Sequence, residues 1–467
     1  MKIDKLTNEE LEKYLDKKIT AFSVEKEKMQ IGFDYYNYKQ AIDEKRRVVV
    51  GKNGRLLEAK GLPNTKIKDN QYARALDQKR SYVLSQRPNI SSTEDRENSP
   101  AVEFAGDFID DRFMRTLNKI ATDSYNCGIG WMYIYTDGKN IEYMRLNPLN
   151  VIPEWSDDSH EKLDAIIRLV SKRVFEDNDI KVKNYVYLYL DNKIKVFDYK
   201  DGRISYIEDG SYLEKDGISY SYKKLPFVYF KQPNSQALIE RVRCLQDALN
   251  LLLSNYADNM FENPMNSILI LKNYEGEDLG EFREKLAQYS AIKVRTADGS
   301  QGGVDTLEVD VNSENYKVII EMLKKAIAHN ARSLYLDNER TTQAPNSLNI
   351  KSMYSDMELD ANDLELEFSA SFEYLFSWIS NTNKIDFSDL CIKFKRSIMV
   401  NDESTVDIIK NSYGIISDET LIKNHPFVED AKKEMKIRDK ERADSLSRFD
   451  DYQNLGGEFK DEPVLGK

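Results

Sequence analysis

The chain has 467 residues, 32% of them charged and 40% hydrophobic, with 28 Tyr and 19 Phe, a composition that suits a soluble protein of two or three domains with a substantial core. Its formal net charge of −12 argues against a protein that grips DNA by its phosphates, which takes clustered Lys and Arg, yet does not exclude DNA as a passenger along an acidic wall. The longest uncharged run, 124–136, spans thirteen residues against the roughly 20 apolar ones a membrane helix needs, and the N-terminus lacks the apolar stretch of a signal peptide.

Residues 1 to about 125 read as mainly helical, with punctuation at Gly51, Gly54, Gly61, Pro63, Pro88 and Pro100. Asn70 to Ser85 is a strong helix candidate, 89–100 a polar loop, and Val102 to Asn126 a further helix that Gly128 and Gly130 terminate. From Trp131 to Phe230 the texture changes to strands. Turn dipeptides at Asp137-Gly138, Asp191-Asn192, Asp201-Gly202 and Asp216-Gly217 give the pattern of an antiparallel meander, so the fold class is α+β.

Two amphipathic helices follow. The first lies between Pro233 and Pro264, with Asn234 or Ser235 as cap, and its apolar residues Leu238, Val242, Leu245, Leu249, Leu252, Tyr256 and Met260 step by fours and threes along one face. The second starts near Ser313 with the stripe Tyr316, Ile320, Leu323, Ile327, Ala331 and Leu334. Between them, 268–271, 292–294 and 304–309 read as short strands around a helical piece at 279–289, a small α/β module on a two-helix stalk. Such a stalk is thinly buried, which predicts that neighbouring copies cover it, with Leu245, Leu249, Leu252, Leu323 and Ile327 at the contacts.

Past the stalk comes a loop over 336–349, uncharged from Thr341 to Ile350, then a third helix from about Ile350 to Ile379 and a short strand-like run, Leu390 to Val400, expected to return to the sheet. The last part reads as helices at 405–412, 417–424 and 428 to about 446, split by Gly414 and Pro426, with a frayed tail at 454–467.

Several chemistries lack their residues. No Gly-Lys is followed by Ser or Thr, so the chain is not a P-loop ATPase. His160, His329 and His425 make neither an HExxH nor a plausible triad and are read as structural or surface residues. Asp356, Glu358 and Asp360 could suggest a two-metal nuclease, but i, i+2 spacing on a helix turns them to different faces, and a solvated acidic face is the preferred reading. The basic run Lys45, Arg46, Arg47, Lys52 and Arg55 reads as a solvated hairpin rather than a nucleic-acid site. Cys127, Cys244 and Cys391, odd in number and far apart, read as reduced, mostly buried thiols in a cytosolic compartment. No catalytic residue, metal or cofactor is expected.

Three stretches carry a family likeness: Asn401-Asp402-Glu403 with 414–421, 425–430 and Glu434; Tyr125 to Tyr133 with Leu146 to Pro153; and Leu225 to Phe230 leading into the first long helix and Asn263-Pro264. In this order they resemble, over nearly the whole length, the portal proteins of tailed bacteriophages in the branch found in phages of Gram-positive hosts. The resemblance implies a portal-type fold: an α/β wing (1–234 with return strands 385–400), stem helices at 235–262 and 314–335, a small α/β clip at 263–313, a tunnel loop at 336–349, a long kinked helix at 350–384 and a helical C-terminal crown at 402–467.

It further implies a non-enzymatic, dodecameric ring at the capsid vertex of the virion, assembled in the host cytoplasm, through which double-stranded DNA is packaged and ejected. Its partners would be the packaging ATPase (terminase large subunit), a neck or head-completion adaptor, and major capsid and scaffolding proteins, with no membrane. The tunnel loop would face DNA through Asn338, Arg340, Thr341, Thr342, Gln343, Asn346, Ser347 and Asn349. Family members often carry a glycine where this loop meets the next helix, whereas this chain has Ala344-Pro345-Asn346-Ser347. The other readings are a metal-dependent nuclease or other DNA-processing enzyme and a non-viral helical scaffold or adaptor.

Overall fold

The computed structural model describes residues 3–50, 55–59, 62–93, 99–136, 140–176, 178–215, 218–220, 222, 224–262, 268–272, 303–307, 313–335, 347–396, 402–425, 427–428, 431 and 434–443. The chain divides into two compact units, one of Met1–Tyr335 with Asp356–Ser397, the other of Leu336–Ser355 with Ile398–Lys467.

In the first unit, helix α1 (Asn8–Tyr36) opens on a capping box: the Glu10 amide donates to Thr7 Oγ1, and the Thr7 amide donates to the Glu10 carboxylate at 2.9 Å. A short hairpin, β1 (Val48–Val50) and β2 (Leu56–Glu58), leads to α2 (Gln71–Leu84), capped by Asn70, and to β3 (Asn89–Ser92), a strand in what the sequence suggested was loop. The stretch read as one helix over 102–126 is two, α3 (Pro100–Phe108) and α4 (Asp111–Cys127). Asp110 leaves the helical conformation and its carboxylate accepts from the Phe113 amide at 2.7 Å, so it restarts the helix as an N-cap. Gly128 ends α4 in the left-handed region.

The strands then run as the turn dipeptides imply: β4 (Ile129–Thr136), β5 (Ile141–Leu146), β6 (Val151–Trp155), β7 (Leu163–Glu176), β8 (Asp179–Tyr189), β9 (Ile194–Lys200), β10 (Arg203–Gly210), β11 (Leu213–Lys215), β12 (Ile218–Tyr220) and β13 (Phe227–Lys231). Asp201-Gly202, both at positive φ, join β9 to β10; Asp137-Gly138 and Asp216-Gly217 lie outside the described residues. Period-two alternation sorts the antiparallel sheet β10-β9-β8-β7-β6 into two faces. Ala165, Ile167, Val186, Leu188 and Phe197 pack with Leu11, Leu15 and Phe22 of α1, while Ile166 and Tyr189 pack with Trp131 and Phe227 of the second sheet, β13-β4-β5.

After β13 come α5 (Leu238–Glu262), β14 (Ile268–Lys272), β15 (Gly303–Leu307), α6 (Ser313–Asn330), α7 (Ser347–Asn383) and β16 (Leu390–Lys393). The inward face of α7 closes the far side of the second sheet: the Phe368 ring lies 5.1 Å from Phe230, and Phe372 lies 5.9 Å from Phe113 of α4. The first unit is thus layered as helix, sheet, sheet, helices. β16 does not rejoin either large sheet. It pairs with β3, Cys391 opposite Ser91, because 89–92 offers an open edge; 397–400 lie outside the described residues. β14 and β15 pair antiparallel, Ile268 opposite Leu307, whereas 279–289 and 292–294 lie outside the described residues.

The second unit contains α8 (Asp402–Asn411), α9 (Asp418–Lys423) and helical residues 434–443. Ser417 caps α9, accepting from the Thr420 amide, and Arg438 reaches Asp418 at 2.9 Å. The tail at 454–467 is outside the described residues.

Candidate functional site

The helix pair α5 and α6 is the feature the sequence singles out, and the start of α5 is built differently from the expectation. Asn234 and Ser235, proposed as caps, instead form a tight turn with φ 56° and 52°, and α5 starts at Leu238. This turn locks to the end of α4: the Gln232 amide donates to the Gly128 carbonyl at 2.8 Å, and Gln232 Nε2 donates to Ser124 Oγ at 3.0 Å. This fixes where α5 starts relative to α4 and the sheet β13-β4-β5.

Beside its apolar stripe, α5 carries Gln246, Asn250, Ser254 and Asp258, four polar residues at i+4 spacing, each with 0% exposure. They accept hydrogen bonds from the backbone of the segment 65–69, which has no regular secondary structure, and from the first turn of α2. Asp258 Oδ1 accepts from the Thr65 amide at 2.7 Å, Ser254 Oγ from Ile67 at 2.9 Å, Asn250 Oδ1 from Asp69 at 3.1 Å and Gln246 Oε1 from Tyr72 at 3.1 Å. The spacing explains the first three bonds: four helical residues rise about 6 Å, and two extended residues about 6.6 Å, so each helix step from Asp258 to Asn250 meets the next inward amide, while Gln246 meets Tyr72 in the first turn of α2. Asp258 also receives Lys45 Nζ at 2.6 Å and Thr65 Oγ1 at 2.6 Å. Burial opposes its charged form, but Lys45 and the two bonds from Thr65 outweigh that and hold its carboxyl below the usual aspartate range. Lys45 and Arg47, read as part of a solvated hairpin, are thus drawn to a buried carboxylate, with Lys45 itself almost covered.

Helix α6 lies along α5, with the Tyr256 and Tyr316 rings 4.8 Å apart, and is stopped at Asn330 by Arg332 in the left-handed region, where the Ser333 amide donates back to the Ala328 carbonyl. Its lower end docks on α2. Leu249 and Ile327, expected at contacts between copies, are buried within the single chain, where α2 packs against both α5 and α6. Leu245, Leu252 and Leu323 are half-buried.

A buried charge cluster lies where α2, α5, the end of α6 and α7 meet. Lys79 Nζ of α2 meets Asp360 of α7 at 2.5 Å and donates to the Ala331 carbonyl at 2.7 Å, while Arg241 of α5 and Arg332 stand 3.3 and 3.7 Å from Asp360. Burial pushes the Lys79 ammonium below its usual range, and Asp360 only partly offsets this. Asp360 is therefore no part of a solvated acidic face. Glu358 is held by Arg396 and the Tyr82 hydroxyl, and of the three acids only Asp356 is exposed.

Of the expected DNA-facing residues, Asn338, Arg340, Thr341, Thr342, Gln343 and Asn346 lie outside the described residues, and Ser347 and Asn349 fall in the first turn of α7. The helix begins earlier than expected because nothing after Pro345 interrupts it. Among the described residues no group of three or more His, Cys, Asp or Glu is placed to hold a metal ion, and no helix is long and apolar enough to cross a membrane. His160 stacks on Trp155 at 5.4 Å and His425 meets Phe427. Cys127 is buried as expected, but Cys244 is exposed on the outer side of α5. The polar row on α5 and the Asp360 cluster were missed by a reading that scored only apolar periodicity; a Gln, Asn, Ser and Asp series at every fourth position was the available signal for the first.

The family model for phage portal proteins of the SPP1 Gp6-like type matches residues 15–447. The chain is 27% identical over 452 residues to the portal protein of Clostridium phage phiCD119, covering 94% of this chain and 98% of that one. It is 24% identical over 428 residues to the portal protein of Bacillus phage SPP1, covering 86% and 81%.

Proposed function

The chain belongs to the SPP1 Gp6-like family of phage portal proteins, and from that premise we propose that twelve copies close into a ring whose central channel passes double-stranded DNA into and out of the capsid. Portal proteins are structural components of the virion, at a capsid vertex, and not enzymes. The observation that carries the reading is the family match, which covers residues 15–447.

In this reading α5 and α6 line up with their neighbours around the axis. Half-buried Leu245, Leu252 and Leu323, with exposed Phe261, Val318 and Met322, supply apolar surface that a single copy leaves uncovered. The module at 263–313 is the clip, which docks the terminase large subunit during filling and a neck adaptor afterwards; capsid and scaffolding proteins meet the same ring, assembled in the host cytoplasm. Negative-stain images of the purified chain should show rings with a central hole. Monomers at micromolar concentration, with correct folding by circular dichroism, would overturn the proposal.

The loop at 336–349 is assigned to the narrowest part of the channel. Its short polar side chains would contact a sliding duplex weakly, where lysines would hold it. Changing Thr341, Thr342 and Gln343 to Lys should leave rings intact but slow packaging in a salt-dependent way. Normal packaging rates at low salt would remove the loop from the DNA path.

A further inference from the structure

Strands β7 and β8 continue as a bare arm. β6 pairs with β7 only over Leu163–Arg168, and β9 pairs with β8 only over Tyr185–Tyr189, so residues 169–184 project past both neighbouring strands. Because side chains alternate, the sheet face that carries Ala165, Ile167, Val186 and Leu188 against α1 runs on along the arm. There it presents Phe175 opposite Ile180 and Arg173 opposite Val182. No described residue covers it: Phe175, Ile180 and Val182 are 70%, 63% and 59% exposed. A face patterned as core and left in water calls for an occupant.

A second uncovered surface lies on α7, facing away from the aromatic core. Leu359 and Leu366 are 61% and 72% exposed and stand one heptad apart, with exposed Asp363 between them on the same side. Neither Arg173 nor Asp363 makes an ion pair among the described residues.

We propose that the arm of one copy lies across this stripe of the next copy, Phe175 and Ile180 against Leu359 and Leu366, with Arg173 against Asp363. The proposal rests on the ring reading above. A closed ring needs two different, complementary patches on every copy, and arm and stripe are such a pair, apolar at their centres and opposite in charge. Their sizes agree. Two strand residues span about 6.6 Å and a cross-strand pair about 5 Å, a patch that fits between leucines about 10.5 Å apart along a helix.

The test uses the full chain with Cys244→Ser as background, so that the exposed thiol is gone. Phe175→Cys combined with Leu366→Cys, treated with a short bis-maleimide, should give a ladder of covalent multimers on a denaturing gel that neither single variant gives. Phe175→Asp with Ile180→Asp, at exposed positions that leave the monomer folded, should cut the assembled fraction at fixed concentration about tenfold. Arg173→Glu should weaken assembly, and Asp363→Arg added to it should restore assembly. Rings without the ladder, or unchanged assembly of the double Asp variant, would overturn the contact and leave the portal reading standing. Intact rings that lose a bound adaptor protein would give the surface to that adaptor, again against the proposal. Absence of rings from the unsubstituted chain would instead overturn the ring reading itself.

Discussion

Asp360→Ala is expected to destabilise the first unit by about 3–5 kcal/mol, because it strands a buried ammonium without its counter-charge. Lys79 is 2% exposed, sits 2.5 Å from the Asp360 carboxylate, and among the described residues has only the Ala331 carbonyl as its other hydrogen-bond partner. Arg241 and Arg332 keep more contact with solvent and can relax outward; Lys79 cannot. The cluster joins α2, α5, the end of α6 and α7, so its loss should also free the two helices that flank the loop at 336–346. Urea denaturation followed by tryptophan fluorescence reads the effect directly. A paired change, Lys79→Met with Asp360→Leu, should recover most of the loss, since an apolar replacement of a buried ion pair is often neutral. A midpoint for the single variant that corresponds to less than about 1 kcal/mol of change would show that Lys79 finds water and that the cluster does not hold these helices together.

Gly128→Ala should be more damaging still and is expected to yield little soluble protein. The residue has φ +82°, which L side chains rarely adopt, and a Cβ there would lie 2.1 Å from the Ser235 carbonyl oxygen. Relief would require the turn at Asn234-Ser235 to move, and with it the start of α5. The combined strain and overlap exceed about 4 kcal/mol, the upper range for single substitutions. Gly106→Ala is the matched control: a Cβ at that position meets nothing within 4 Å, and alanine in a helix gains up to about 1 kcal/mol over glycine. Soluble yield and thermal melts of the two variants side by side decide the point. Equal stability of Gly128→Ala and the unsubstituted chain would mean that the turn before α5 can shift without cost.

Local pattern predicted most elements well. Helix α2 begins at the Asn70 cap, α6 begins at Ser313, and Asp201-Gly202 closes its hairpin, all because a single side chain or dipeptide decides such points. Where two local signals competed, the weaker one was overlooked. Asp110 lies inside an otherwise helical run, and its extended backbone and its bond to the Phe113 amide show that it divides α3 from α4. Asn234 and Ser235 are good cap types, yet the chain uses them as left-handed turn residues.

Composition, periodicity and motif order were enough to establish the α+β class, two long amphipathic helices around a small insert, and the portal family. Each of these is written in neighbouring residues or in their order along the chain. The partners of those faces could not be read in the same way. Leu249 and Ile327 carry the same spacing as any subunit-contact stripe, yet they are interior in the single chain, where α2 packs on α5 and α6. Asp258 and Asp360 look like surface acids on amphipathic helices, yet each meets cations from segments more than a hundred residues away, Lys45 in one case and Lys79 in the other. Phe175, Ile180 and Val182 have the alternation of a buried strand and nevertheless face solvent, because the adjoining strands stop short. Periodicity states which side of an element is apolar; what covers that side depends on how distant segments pack, and that is settled only when the chain has folded.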